Sequence, residues 1–123
     1  MQAALEQEGL SLFAVVNNAG MNDVGMVETM PLAAHRRLFD VNYFVVIALS
    51  QHFLPLLRRF RPTNKQEPGQ RLLIVGSLAG LAVTPFGGAY SATKWALEAI
   101  TDCELRMSGG CVSLVLLSVP RGA

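Results

Sequence analysis

Leu72-Leu73-Ile74-Val75-Gly76-Ser77-Leu78-Ala79-Gly80 begins with four apolar residues and breaks at once into glycine, serine and a second glycine. So short an apolar run, closed by turn residues, predicts a strand buried on both faces with Ser77 at its mouth. Working outward, Leu12-Phe13-Ala14-Val15-Val16-Asn17-Asn18-Ala19-Gly20 has the same form and ends in two amides and a glycine. On the other side, the apolar segment from Val112 to Leu117 contains one serine. Strands are therefore expected over about 11–16, 71–75 and 111–117, with helices over about 31–59 and 88–107 between them. Alternating strands and helices indicate an α/β class with a parallel sheet and right-handed crossovers. Ligands of such sheets bind outside the carboxyl ends of the strands, where Asn17, Ser77 and the segment before Tyr90 fall.

The second helix opens with Ala89-Tyr90-Ser91-Ala92-Thr93-Lys94-Trp95-Ala96-Leu97-Glu98. Four residues on a helix make little more than one turn, so a phenol stands beside an ammonium. A free tyrosine keeps its proton to about pH 10, and a fixed cation nearby favours the phenolate. A phenol so tuned suits acid/base work at a carbonyl or alcohol oxygen. The plainer reading of the pair is an exposed helical contact, so its neighbours in sequence decide. Ser77 lies thirteen residues upstream, and Asn42, in Phe39-Asp40-Val41-Asn42-Tyr43-Phe44, falls in the middle of the first long helix.

Together these segments resemble the short-chain dehydrogenase/reductase family over about 12–115. The resemblance implies a partial Rossmann-like, doubly wound parallel sheet with long flanking helices, here one domain over 1–123. It implies that Tyr90 is the catalytic acid/base and that Lys94 lowers its pKa and holds the nicotinamide ribose. Ser77 would hydrogen-bond the substrate oxygen. Asn42 would loosen its helix and hold a water leading from Lys94 to solvent. Asn17, Asn18, Ala19 and Gly20 match the family's Asn-Asn-Ala-Gly segment, which braces the sheet and lines the cofactor cleft. After the last strand the family has Pro-Gly against the nicotinamide amide; here the chain reads Val119-Pro120-Arg121-Gly122, and the contact falls to Pro120.

The implied cofactor is NAD or NADP, and the implied reaction is reversible interconversion of an alcohol and a carbonyl by hydride transfer. No Thr-Gly-x-x-x-Gly-x-Gly turn precedes the first strand, although that turn receives the dinucleotide pyrophosphate. Met1-Gln2-Ala3-Ala4-Leu5-Glu6-Gln7-Glu8-Gly9 reads as the end of a helix closed by glycine. The expectation is a fragment of a family member that is about twice as long. Its alternative role is that of an inactive remnant acting, if at all, by pairing with intact subunits. A serine hydrolase is disfavoured, because the glycines around Ser77 are one place off Gly-x-Ser-x-Gly and no histidine follows His52.

Composition agrees: 51% of residues are hydrophobic and 15% charged, as suits parallel strands covered by helices. A net charge of +1 gives no reason to invoke nucleic acid. Cys103 and Cys111 are expected to be reduced and structural, and no metal is implied by His35 and His52. Uninterrupted apolar runs are too short to cross a bilayer, which needs about 18 residues or more, so no membrane span is expected and the default compartment is cytoplasmic. The segment from Arg58 to Arg71 is polar and turn-rich and predicts a surface loop. Apolar residues surround much of both helices, with Val45 and Leu49 on one and Trp95 and Ala99 on the other. The resemblance implies that these helices pair in a homo-oligomer of the full-length protein.

Overall fold

The computed structural model describes residues 7–8, 12–60, 69–107 and 112–115, the last as backbone only. The expected helix end near Gly9, the loop residues 61–68, Cys111 and Pro120 lie outside the described residues. Three strands, β1 (Ala14–Asn17), β2 (Arg71–Val75) and β3 (Val112–Val115), form one parallel sheet in the order β1-β2-β3. Val15 pairs with Leu72, and Leu72 in turn with Val112, so the carboxyl ends of all three strands lie on one edge.

The first crossover is a rod of helix: α1 (Leu32–Phe39), a π-helical segment (Asp40–Phe44) and α2 (Val45–Leu57) follow without a break. Pro31 precedes the rod with extended backbone, where its missing N–H costs nothing. Pro55 lies in the last turn, two residues before α2 ends. This rod of 26 residues holds an 18-residue window of mean hydropathy 1.2 and is long and apolar enough to cross a membrane by length and composition. Counting uninterrupted runs misses this property, because single polar residues break the runs without lowering the mean much. One side of α2 packs on the sheet.

The second crossover is α3 (Gly88–Met107). Val46 and Leu57 from α2, Leu72 and Ile74 from β2 and Leu97 from α3 form one core cluster, joined by Val15 and Tyr43. Both helices therefore cover the same face, because two right-handed crossovers step the same way across the sheet. The second helical layer of a doubly wound sheet is not among the described residues, and Val16, pointing away from the core, is 57% exposed. Val45, Leu49 and Trp95 are also exposed.

Candidate active site

Beyond β2 the chain runs through buried Gly76 to Ser77, whose extended backbone (φ −160°) opens a single turn of 3-10 helix, Leu78–Gly80. The Ser77 hydroxyl oxygen accepts the Ala79 N–H at 3.2 Å and so caps this turn. Its own proton has no acceptor among the described residues. Gly80 is tightly packed here: a Cβ would stand 3.2 Å from the Lys94 carbonyl oxygen and 3.1 Å from Glu98 Cγ. The bare backbone lets the Ser77 turn sit directly against α3.

Tyr90 lies in the first turn of α3, half-buried, and Lys94 follows one turn later at 6% exposure. The Lys94 Nζ donates to the Val75 carbonyl oxygen at 3.1 Å and stands 5.8 Å from the centroid of the Tyr90 ring. Burial pushes the Lys94 ammonium below its ordinary pKa, since a desolvated cation is costly. Ser77, Tyr90, Lys94, Gly20, Met21 and Val75 all line an open cleft of about 320 Å³ at the carboxyl edge of the sheet.

Asn42 is 1% exposed and does not line the cleft. The π segment turns it inward, where Nδ2 donates to the Met21 carbonyl at 2.9 Å and to Thr93 Oγ1 at 3.0 Å. Its Oδ1 accepts the Met21 N–H at 2.8 Å. Both amide protons are thus committed to protein. The helix is loosened at Asn42, as expected, but the side chain works as a clip on the loop that follows β1. Gly20 passes between Asn42 and Lys94 so closely that a Cβ would lie 3.3 Å from Asn42 Oδ1 and 4.0 Å from Lys94 Nζ.

The remaining expected residues fall less uniformly. Asn18 and Gly20 line the cleft, whereas Ala19 is exposed outside it. Asn17 is buried at the end of β1, and its Nδ2 has no partner among the described residues. The loops on the two sides of the cleft are joined where the Gly25 N–H donates to the carbonyl of Phe86 at 2.9 Å. Phe86 itself has a positive φ of 62°, which is uncommon for a bulky residue. Sequence reasoning passed over Thr93, although a hydroxyl between Tyr90 and Lys94, three residues after the tyrosine, was a usable signal.

Residues 1–108 match the family model described as short chain dehydrogenase. The chain is 36% identical over 107 residues to the uncharacterized oxidoreductase YbbO of Escherichia coli K12, a match covering 85% of this chain and 37% of the relative. It is 38% identical over 108 residues to human 11-beta-hydroxysteroid dehydrogenase type 2, covering 85% of this chain and 25% of the relative. Among solved structures, the alcohol dehydrogenase of the archaeon Thermococcus sibiricus, complexed with 5-hydroxy-NADP, superimposes with a TM-score of 0.74 at 25% identity. That match covers 94% of this chain and 45% of the other. The chain thus spans between a quarter and somewhat under half of the length of these proteins.

Proposed function

The chain belongs to the short-chain dehydrogenase family, and from that premise we propose that it carries the proton-handling wall of an NAD(P)-dependent oxidoreductase that interconverts an alcohol and a carbonyl. The single observation behind this reading is that Ser77, Tyr90 and Lys94 share one cleft, with the ammonium tied to Val75 beside the phenol ring.

The residues present suit a nicotinamide ribose. Among the described residues Lys94 spends one ammonium proton, on Val75, which leaves two for the hydroxyls of a ribose. Gly20 offers bare backbone beside Lys94, and a cleft of about 320 Å³ is of a size for the nicotinamide half of a dinucleotide. When bound, the nicotinamide supplies or accepts the hydride. In the reducing direction Tyr90 gives its phenolic proton to the substrate oxygen as negative charge gathers there. Ser77 donates its uncommitted hydroxyl proton to the same oxygen, in a hydrogen bond that strengthens as the charge develops. Lys94 stands beside the phenol and, as a cation, favours the oxyanion that Tyr90 becomes. In the oxidising direction the same phenolate takes the alcohol proton.

The test is Tyr90→Phe in the protein at the length of its relatives, with NADH and NADPH and a panel of aldehydes and ketones. Turnover should fall by at least about 10²-fold while cofactor affinity, followed by Trp95 and nicotinamide fluorescence, stays within about threefold. Retained turnover would sink the acid/base role. No fluorescence response up to about millimolar cofactor in either protein would favour the remnant that works only beside intact subunits.

A further inference from the structure

Thr93 is fully buried, at 0% exposure, and does not line the cleft. We propose that it is a positioning residue, which locks the catalytic turn of α3 to the cleft-lining loop after β1 through Asn42. The inference rests on the acid/base reading of Tyr90 given above.

A threonine hydroxyl has one proton to give. Thr93 gives it to the Tyr90 carbonyl oxygen at 2.7 Å, so its oxygen can only accept from Asn42. It accepts the Asn42 Nδ2 proton at 3.0 Å. The Met21 backbone fixes which way the Asn42 amide faces, since its N–H can only meet Oδ1 and its carbonyl only Nδ2, and this leaves the second Nδ2 proton directed at Thr93. With Nδ2 toward Thr93, the amide closes both of its bonds to the Met21 backbone, at 2.8 and 2.9 Å. Met21 and its neighbour Gly20, in the loop after β1, line the same cleft as Tyr90 and Lys94. One relay of hydrogen bonds therefore runs from the backbone of the acid/base residue, through Thr93 and Asn42, to that loop.

Thr93 is the link between α3 and the Asn42 clip. Valine has the same shape but can neither donate to Tyr90 nor accept from Asn42. It would leave a buried amide proton unpaired and break that link, while the Met21 backbone still orients the amide. Misplacement of a reacting group by about 1 Å can cost on the order of 10²-fold in rate, so a residue that never reaches the substrate can still govern turnover.

Thr93→Val and Thr93→Ser are compared with the parent and with Tyr90→Phe, all at the length of the relatives. Thr93→Val should lower kcat by about 10- to 100-fold with cofactor KM within about twofold, and Thr93→Ser should restore kcat to within about threefold. Hydrogen exchange followed by NMR gives a readout independent of turnover. In the parent the Asn42 side-chain amide protons should be protected, and in Thr93→Val they should exchange about tenfold faster while the backbone amides of Val46 and Leu57 keep their rates. Thr93→Val with kcat within about threefold of the parent, Thr93→Ser as impaired as Thr93→Val, or a uniform loss of protection would each overturn the inference. If Thr93→Val does not fold, the parent decides, since unprotected Asn42 side-chain protons there would exclude the relay. Loss of turnover in Tyr90→Phe with none in Thr93→Val refutes the positioning role alone, whereas retained turnover in Tyr90→Phe refutes the acid/base reading beneath it.

Discussion

Two long helical elements cover the same face of the sheet, and they bury opposite kinds of side chain. The rod of α1, π segment and α2 buries Ala34, Leu38, Val46 and Leu57, with Asn42 its one buried polar residue. On α3 the buried residues are Ala89, Ser91, Thr93, Lys94, Leu97 and Thr101, four of them polar or charged. Hydrocarbon on the rod needs only to be out of water, so its contacts are interchangeable. Each buried polar group on α3 needs a partner at a fixed distance, which makes that helix less tolerant of change. The rod closes the core, whereas α3 holds groups in register at the edge of the sheet. Asn42 is where the two regimes meet.

The largest effect on stability should come from the apolar side of this contrast. Leu38 is fully buried, at 0% exposure, and Leu38→Ala removes hydrocarbon from a site that can only partly collapse. Unfolding free energy should fall by about 2–5 kcal/mol, with turnover per folded molecule unchanged. Chemical denaturation reads the first and an active-fraction assay the second. A loss below about 1 kcal/mol would mean that the rod is not the packed element it is taken for here.

Lys94 gives a smaller effect whose size changes along the pH axis. Burial lowers its pKa from the ordinary value of 10.5, so between the lowered value and 10.5 the unfolded chain binds more protons than the folded one. Stability must therefore rise with pH across that window. Below it the ammonium is charged in both states, and the cost of burying it is present in full. Above 10.5 the amine is neutral in both, and the cost is gone. The difference in unfolding free energy, parent minus Lys94→Met, should increase as pH rises toward 10.5. A difference that stays flat from neutral to alkaline pH would show that Lys94 is better solvated than its surroundings suggest.

The contrast between the helices also separates what could be read in the sequence from what could not. The bounds of β2 and α3 agree with expectation to the residue, because glycines and an abrupt change of hydrophobic period mark their ends. The grouping of Ser77, Tyr90 and Lys94 follows from strand-end and i, i+4 geometry, which depend on spacing alone. The π segment left almost no trace, since one extra residue in a helical turn has no composition of its own. Its one sign was Asn42 itself, which the family resemblance expects to loosen the helix. The partners of Asn42 were equally hidden: Met21 and Thr93 lie 21 and 51 residues away, and only the folded chain brings them together.

The smallest predicted effect is the most discriminating, because it concerns two threonines on the same buried face of one helix. Thr101 is as buried as Thr93, at 0% exposure, and its hydroxyl likewise donates to a carbonyl one turn back, that of Leu97 at 2.8 Å. No second partner is tied to Thr101 among the described residues. A helical carbonyl has its own backbone donor, so Thr101→Val trades a redundant bond for a methyl group of equal size and leaves no group unsatisfied. The change in unfolding free energy should be within about 0.5 kcal/mol of zero, against about 1–3 kcal/mol lost in Thr93→Val, where the Asn42 amide proton is orphaned. Equal losses at the two sites would mean that burial of the hydroxyl, and not its second partner, sets the cost, and the distinction between a packed threonine and a connecting one would fail.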